Sequence, residues 1–123
     1  MLRQELLEQV QKEIAQGQAA REAGNEGRAR VCARRAAAIV TAEYLRQHGV
    51  DPGRADAYSV LSLAASRDDV PQAVREVLGH LLTRVEPGGR LPIQADLLAE
   101  ARWLIDTLIP PGPAATSDEP SSG

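Results

Sequence analysis

Residues 26–48, EGRARVCARRAAAIVTAEYLRQH, read as one long helix and decide how the rest of the chain can be arranged. Each residue advances about 100° around a helix axis, so Cys32, Ala36, Ala29, Val40, Ala33 and Tyr44 fall on one continuous arc, with Ile39 at its edge. Such an arc has to face a core. The opposite side is hardly more polar, because Val31, Ala38, Ala42 and Leu45 gather there. A helix that is apolar nearly all round is contacted on two sides and lies at the centre of its domain.

The flanking sequence supplies the partners. Residues 2–23 place Leu2, Leu6, Val10 and Ile14 one helical turn apart with Leu7 beside them, which predicts an amphipathic helix. Gly17 either ends that helix early or is carried inside it, at a cost of about 1 kcal/mol relative to Ala. Ala19, Ala20 and Ala23 continue a small-residue face beyond it. Gly24 and Asn25 can take the left-handed conformation that closes a helix, and Glu26 suits the positive end of the next. An antiparallel helix pair is the expected result.

Gly49 stops the long helix and residues 50–54 make a loop. Residues 55–65 predict a short helix with Tyr58, Leu61 and Ala65 on one side. Asp69 as a cap and Pro71 in the first turn open a fourth helix over 71–85, striped by Val74, Val77, Leu78, Leu81, Leu82 and Val85. Glu86, Pro87, Gly88, Gly89 and Arg90 break the chain, and Leu91 and Pro92 lead to a last helix over 94–109. Leu97, Leu98, Ala101, Leu104, Ile105 and Leu108 form its inner face, and Asp96 and Glu100 lie near the positive end of its dipole. The stripes of three helices have only one another to pack on, so Cys32, Ala36, Val40, Leu78, Leu81, Leu97, Ala101 and Leu104 are expected to be buried together. Residues 110–123, PPGPAATSDEPSSG, are too poor in apolar residues to order themselves. The expected organisation is an all-α, antiparallel bundle of five helices over 1–109 with a disordered tail over 110–123.

Composition supports one soluble helical domain. The chain has 123 residues, 43% apolar and 25% charged, but only 2% aromatic and no Phe. A core of Leu, Val, Ile and Ala suits close helix packing better than a β-rich fold. A net charge of −3 gives no general attraction to nucleic acid or to an anionic membrane. Charges at Arg3, Glu5, Glu8, Lys12 and Glu13 interrupt the apolar N-terminal segment, so neither a signal peptide nor a membrane span is expected. The lone Cys32 sits on the apolar arc as a small buried residue would, and a reducing, cytoplasmic setting is the expectation. Of the basic residues only Lys12 is Lys. That bias is typical of GC-rich coding sequence and makes arginine abundance weak evidence of function.

The chain resembles the HEPN superfamily of small helical bundles. The resemblance rests on a first helix ending in Gly24 and Asn25 and on an alanine-rich central helix carrying Arg28, Ala29, Val31, Cys32, Ala33, Ala36, Ala37, Tyr44, Leu45 and Gly49. The closing segment DLLAEARWLI also fits, and the likeness spans residues 2–109. It implies an up-and-down bundle that commonly dimerises. Members act as metal-independent ribonucleases or as non-catalytic partners, often of minimal nucleotidyltransferases in toxin and antitoxin pairs. The sequence departs from the pattern at Ala37 and Ala38, where many members carry a glutamate.

The ribonuclease members use an Arg and a His a few residues apart, and Arg75-Glu-Val-Leu-Gly-His80 has that spelling. A His can move the 2′-hydroxyl proton while an Arg stabilises the charged phosphorane. On a regular helix, however, five residues separate the two side chains by about 140°, so they do not face one phosphate, and His80 is expected to face solvent. Arg28 and Arg35 border one side of the central apolar arc, and Arg30 and Arg34 the other. They make a conceivable phosphate-binding patch without aromatics for base stacking, or else arginines that snorkel beside a buried face. Glu43 projects toward the apolar arc and is expected to be held there by a hydrogen bond to an arginine or a helix end. One Cys and two His leave no zinc spacing, no phosphate loop is present, and neither metal nor cofactor is expected.

Trp103 lies about 160° around the last helix from Ala101, on the outer side with Asp96, Ala99, Asp106 and Thr107. Nothing in that helix's pattern buries it, and Trp is a frequent binding anchor. Trp103 beside Ala99 is therefore the expected contact surface. The function expected from these residues is a non-enzymatic assembly module acting as a homo-oligomer or with a protein partner. A ribonuclease using Arg75 and His80, and an RNA-binding accessory protein, are the alternatives.

Overall fold

The structure, a computed structural model, describes residues 3–84, 93 and 95–109. Expectations that fall on Leu2, Val85, Leu91, Pro92, Gln94 and the 110–123 tail lie outside the described residues. Helices are the only regular elements among those residues, in the order α1 (Arg3–Glu22), α2 (Glu26–Gln47), α3 (Ala57–Ala65), α4 (Gln72–Leu82) and α5 (Leu97–Leu108). α2 is the central one, packed against α1, α3 and α5, and α4 closes the bundle on α3 and α5. Cys32, Ala36, Val40, Leu78, Leu81, Leu97, Ala101 and Leu104 are all buried, as their stripes require.

The α1–α2 turn is written in its glycine. Gly24 takes φ +83, and Asn25 N–H reaches back to Ala20 O at 2.7 Å while Gly24 N–H reaches Arg21 O at 2.9 Å. This pair of bonds satisfies carbonyls that a helix end leaves open. Asn25 then accepts from Arg28 N–H and caps α2. The end of α2 repeats the device. Gly49 at φ +82 directs Val50 N–H to Leu45 O at 2.8 Å.

α1 runs unbroken through Gly17, which is buried. A Cβ there would lie 2.8 Å from Leu98 Cδ2 and 3.0 Å from Cys32 Cβ. The missing side chain is what lets α1, α2 and α5 approach at one point.

Three local expectations are corrected. α3 begins at Ala57 rather than two residues earlier, because Asp56 accepts from Ser59 N–H at 2.8 Å and fixes the start. Asp69 does not cap α4: its carboxylate pairs with the Arg67 guanidinium at 2.7 and 2.9 Å, and Pro71 precedes the helix with no side-chain cap. Asp96 lies not inside α5 but at its cap, accepting from Ala99 N–H at 3.2 Å.

The two-sided contact of α2 holds over part of its length. Ala38, Ala42 and Leu45 are buried, but Val31 is 41% exposed. α3 has 9 residues against 22 in α2, about 14 Å of helix against about 33 Å. It is too short to cover the N-terminal half. Glu43 is likewise half-buried rather than enclosed, bonded to Gln47 at 3.2 Å and to Arg46 at 3.5 Å.

Candidate functional site

The outer face of α5 is built by the same pattern that buries its inner face. Leu97, Leu98, Ala101, Leu104, Ile105 and Leu108 turn inward, which leaves Ala99, Arg102, Trp103, Asp106 and Thr107 exposed. Trp103, the chain's one tryptophan, keeps 39% of its surface accessible. The side chains beside it tie the face to both neighbouring helices. Toward α1, Arg102 Nη2 donates to Gln18 Oε1 at 3.4 Å. Toward α4, Glu100 holds His80 Nδ1 at 2.9 and 3.0 Å. At the head of the helix, Arg21 reaches Asp96 at 3.1 Å and Glu26 at 2.8 Å, joining the ends of α1, α2 and α5. Along α5 itself, Trp103 is one turn from Ala99, Glu100, Asp106 and Thr107, a mostly polar set of helix neighbours.

These contacts carry the clearest charge effects. Hydrogen bonding from Arg21 holds the Glu26 carboxyl below the usual carboxylate range. For Asp96, burial pushes upward, but the Ala99 N–H bond and Arg21 outweigh it and the net direction is down.

His80 keeps 42% of its side-chain surface accessible, in line with a solvent-facing position on α4, and it is also paired with Glu100 from α5, a partner its own helix does not reveal. A carboxylate on Nδ1 is an arrangement that can orient an imidazole. Arg75 is half-buried, and its Nε is enclosed without a hydrogen-bond partner among the described residues.

The arginine patch on α2 comes apart. Arg34 is buried, with its Nε 2.7 Å from Leu81 O and Nη2 3.2 Å from Thr83 O, and it lies 5.5 Å from the Tyr58 ring centre. Its guanidinium serves the carbonyl end of α4 and is not presented to a phosphate. The Arg84 guanidinium lies 4.7 Å from the same ring. Arg28 and Arg35 are exposed and Arg30 is half-buried, so no four-residue cluster faces solvent.

Among the described residues no three His, Cys, Asp or Glu side chains come together as a metal site, and no helix is long and apolar enough to cross a membrane. The fold and its surface define a small all-α bundle with one tryptophan-centred face. No family model, characterised protein or solved structure matches the chain.

Proposed function

We propose that this chain is a non-enzymatic helical assembly module that pairs with a second copy through the outer face of α5, centred on Trp103 and Ala99. The observation that carries the reading is Trp103, a large aromatic side chain left 39% exposed on a face whose flanking residues are held by α1 and α4. Tryptophan placed at the centre of a patch and ringed by polar groups is the usual composition of a binding anchor. The resemblance to HEPN bundles adds a minimal nucleotidyltransferase of a toxin and antitoxin pair as a further partner class. A cytoplasmic, reducing setting suits the single buried thiol of Cys32. The RNA-binding alternative draws less support, since Arg34 is engaged within the fold.

Sedimentation together with intrinsic fluorescence tests the reading. Dilution should dissociate the assembly and shift the Trp103 emission to the red. If Trp103→Ala remains as oligomeric as the wild type and only unfolds more easily, the residue belongs to the core of the bundle and the assembly reading fails.

A further inference from the structure

The strip of α2 that runs between α1 and α3 is only half covered. Toward the C-terminal end of α2 it meets a recess of about 210 Å³, lined by Leu6 of α1, Ala38 and Ala42 of α2, Ala55 in the loop before α3 and Val60 of α3. Leu6, Ala38, Ala42 and Val60 are buried, so the floor is apolar. The volume is below the roughly 300–1,000 Å³ of small-molecule sites, a size for one side chain of a partner. At about 100° per residue, Val31, Ala38 and Ala42 fall within about 40° of one another around α2, and Arg28, Arg35 and Arg46 fall within about 20° of one another beside them. Val31 therefore continues the line of the recess into the N-terminal half of the helix, where α3 does not reach. It is 41% exposed, and a Cβ at Gly27, one turn earlier, would meet nothing closer than 3.8 Å.

The charged side chains that α2 places on this strip are all arginines. Arg28 and Arg35 flank Val31 at i−3 and i+4, where side chains on a helix are neighbours. Both are exposed and have no ion pair among the described residues. Arg46 lines the recess and is paired only with Glu43, at 3.5 Å and within its own helix. This local positive surplus opposes the net charge of −3 carried by the whole chain. We propose that the strip is a second docking surface, separate from the outer face of α5, and that it receives an acidic amphipathic helix of a different protein. One apolar side chain of that helix enters the recess, another covers Val31, and carboxylates meet Arg28 and Arg35. Val31 and Ala38 lie about 10 Å apart along α2, the spacing of apolar residues seven apart on a facing helix. A nucleic acid would use the same charges but leave the apolar recess empty, and none of the described residues lining the strip is an aromatic on which a base could stack. Among the described residues the recess has no wall from α5, so docking here needs no self-association through Trp103.

A labelled helical peptide with leucines seven apart, flanked by glutamates, is the probe, read by fluorescence anisotropy. It should bind the 123-residue chain, and its counterpart with lysine for glutamate should not. Val31→Glu and the double variant Arg28→Glu/Arg35→Glu, all at exposed positions, should each weaken binding by more than about tenfold. Ala55→Trp, which fills the mouth of the recess, should do the same. The double variant should in turn bind the lysine peptide, a gain that a damaged fold cannot produce. Failure of the acidic peptide to bind wild type, equal binding by Val31→Glu, or no gain of the lysine peptide by the double variant overturns the docking surface. Single-stranded RNA that binds wild type, is lost in the double variant and is untouched by Ala55→Trp assigns the strip to nucleic acid instead. Sedimentation of the wild type, which reads self-association through Trp103, is independent of each of these outcomes.

Discussion

Arg34 and Leu81, 47 positions apart, are joined by a bond of 2.7 Å from the Arg34 Nε to the Leu81 carbonyl. A helix leaves its last carbonyls without intrahelical donors. In α4 these are met from several sources: Thr83 Oγ1 donates to Gly79 O, Thr83 N–H to His80 O, and Arg34 to Leu81 O. A side chain from the central helix thus finishes the end of another.

Arg34→Ala should cost about 1.5 to 3 kcal/mol, the range for losing a charged donor to a buried acceptor. Denaturant melts measure it. Arg34→Lys should recover only part, since a single ammonium cannot reproduce the planar fork that meets Leu81 O and Thr83 O together. A loss below about half a kilocalorie for the alanine variant, within the range of ordinary surface changes, would show that α4 does not depend on this contact.

Gly17→Ala is expected to destabilise the bundle even though alanine is the better helix former. The propensity gain is about 1 kcal/mol, whereas overpacking a tight site costs about 1 to 3 kcal/mol. At 2.8 Å from Leu98 Cδ2 and 3.0 Å from Cys32 Cβ, the added methyl forces movement in two other helices. A melt showing Gly17→Ala to be the more stable protein would mean that α5 shifts freely to admit it.

Acid should weaken the junction of α1, α2 and α5. The Glu26 and Asp96 carboxyls are both held below their ordinary values of 4.5 and 3.8. Groups depressed on folding contribute stability that is present above the unfolded value and lost as pH falls through the folded one. Stability should therefore decline below about pH 4.5, and Arg21→Gln should make that decline shallower. At neutral pH the same variant should lose only about 1 kcal/mol or less, because the pairs are only partly buried and solvent screens them. An acid limb identical in wild type and variant would remove Arg21 from the account.

Purified protein should leave both structured and single-stranded RNA intact, with no metal added. The roughly 140° between Arg75 and His80 around α4 and the engagement of His80 by Glu100 underlie this expectation. Cleavage that disappears in His80→Ala would reverse it and establish a ribonuclease.

The parts of this fold that can be read from sequence are those governed by local period. α2 announces itself through its alanine arc, and the inner face of α5 through Leu97, Leu98, Ala101, Leu104, Ile105 and Leu108. Gly24 and Gly49 punctuate the chain because each needs a positive φ. What periodicity does not encode is the choice among distant partners. It places Arg34 at a border of the arc without revealing Leu81 and Thr83, and it leaves His80 facing outward without revealing Glu100, 20 positions later. Gly17 reads as a weak point until Leu98 and Cys32 are seen crowding it. At Asp69 two short-range options competed, and pairing with Arg67 displaced capping. Trp103 is the exception: its outward position follows from one helix alone.

Cys32, the chain's one thiol, lies wholly buried against Gly17 where α1 meets α2. Alkylating reagents can reach its Sγ only when that seam parts. The native protein therefore carries its own clock: under conditions where reclosure outruns labelling, the modification rate divided by that of an unfolded thiol gives the opening equilibrium directly. Applied with and without conditions that favour self-association, the same measurement would tell whether contact at the outer face of α5 is felt at the seam where Leu98, on its inner face, meets Gly17 and Cys32.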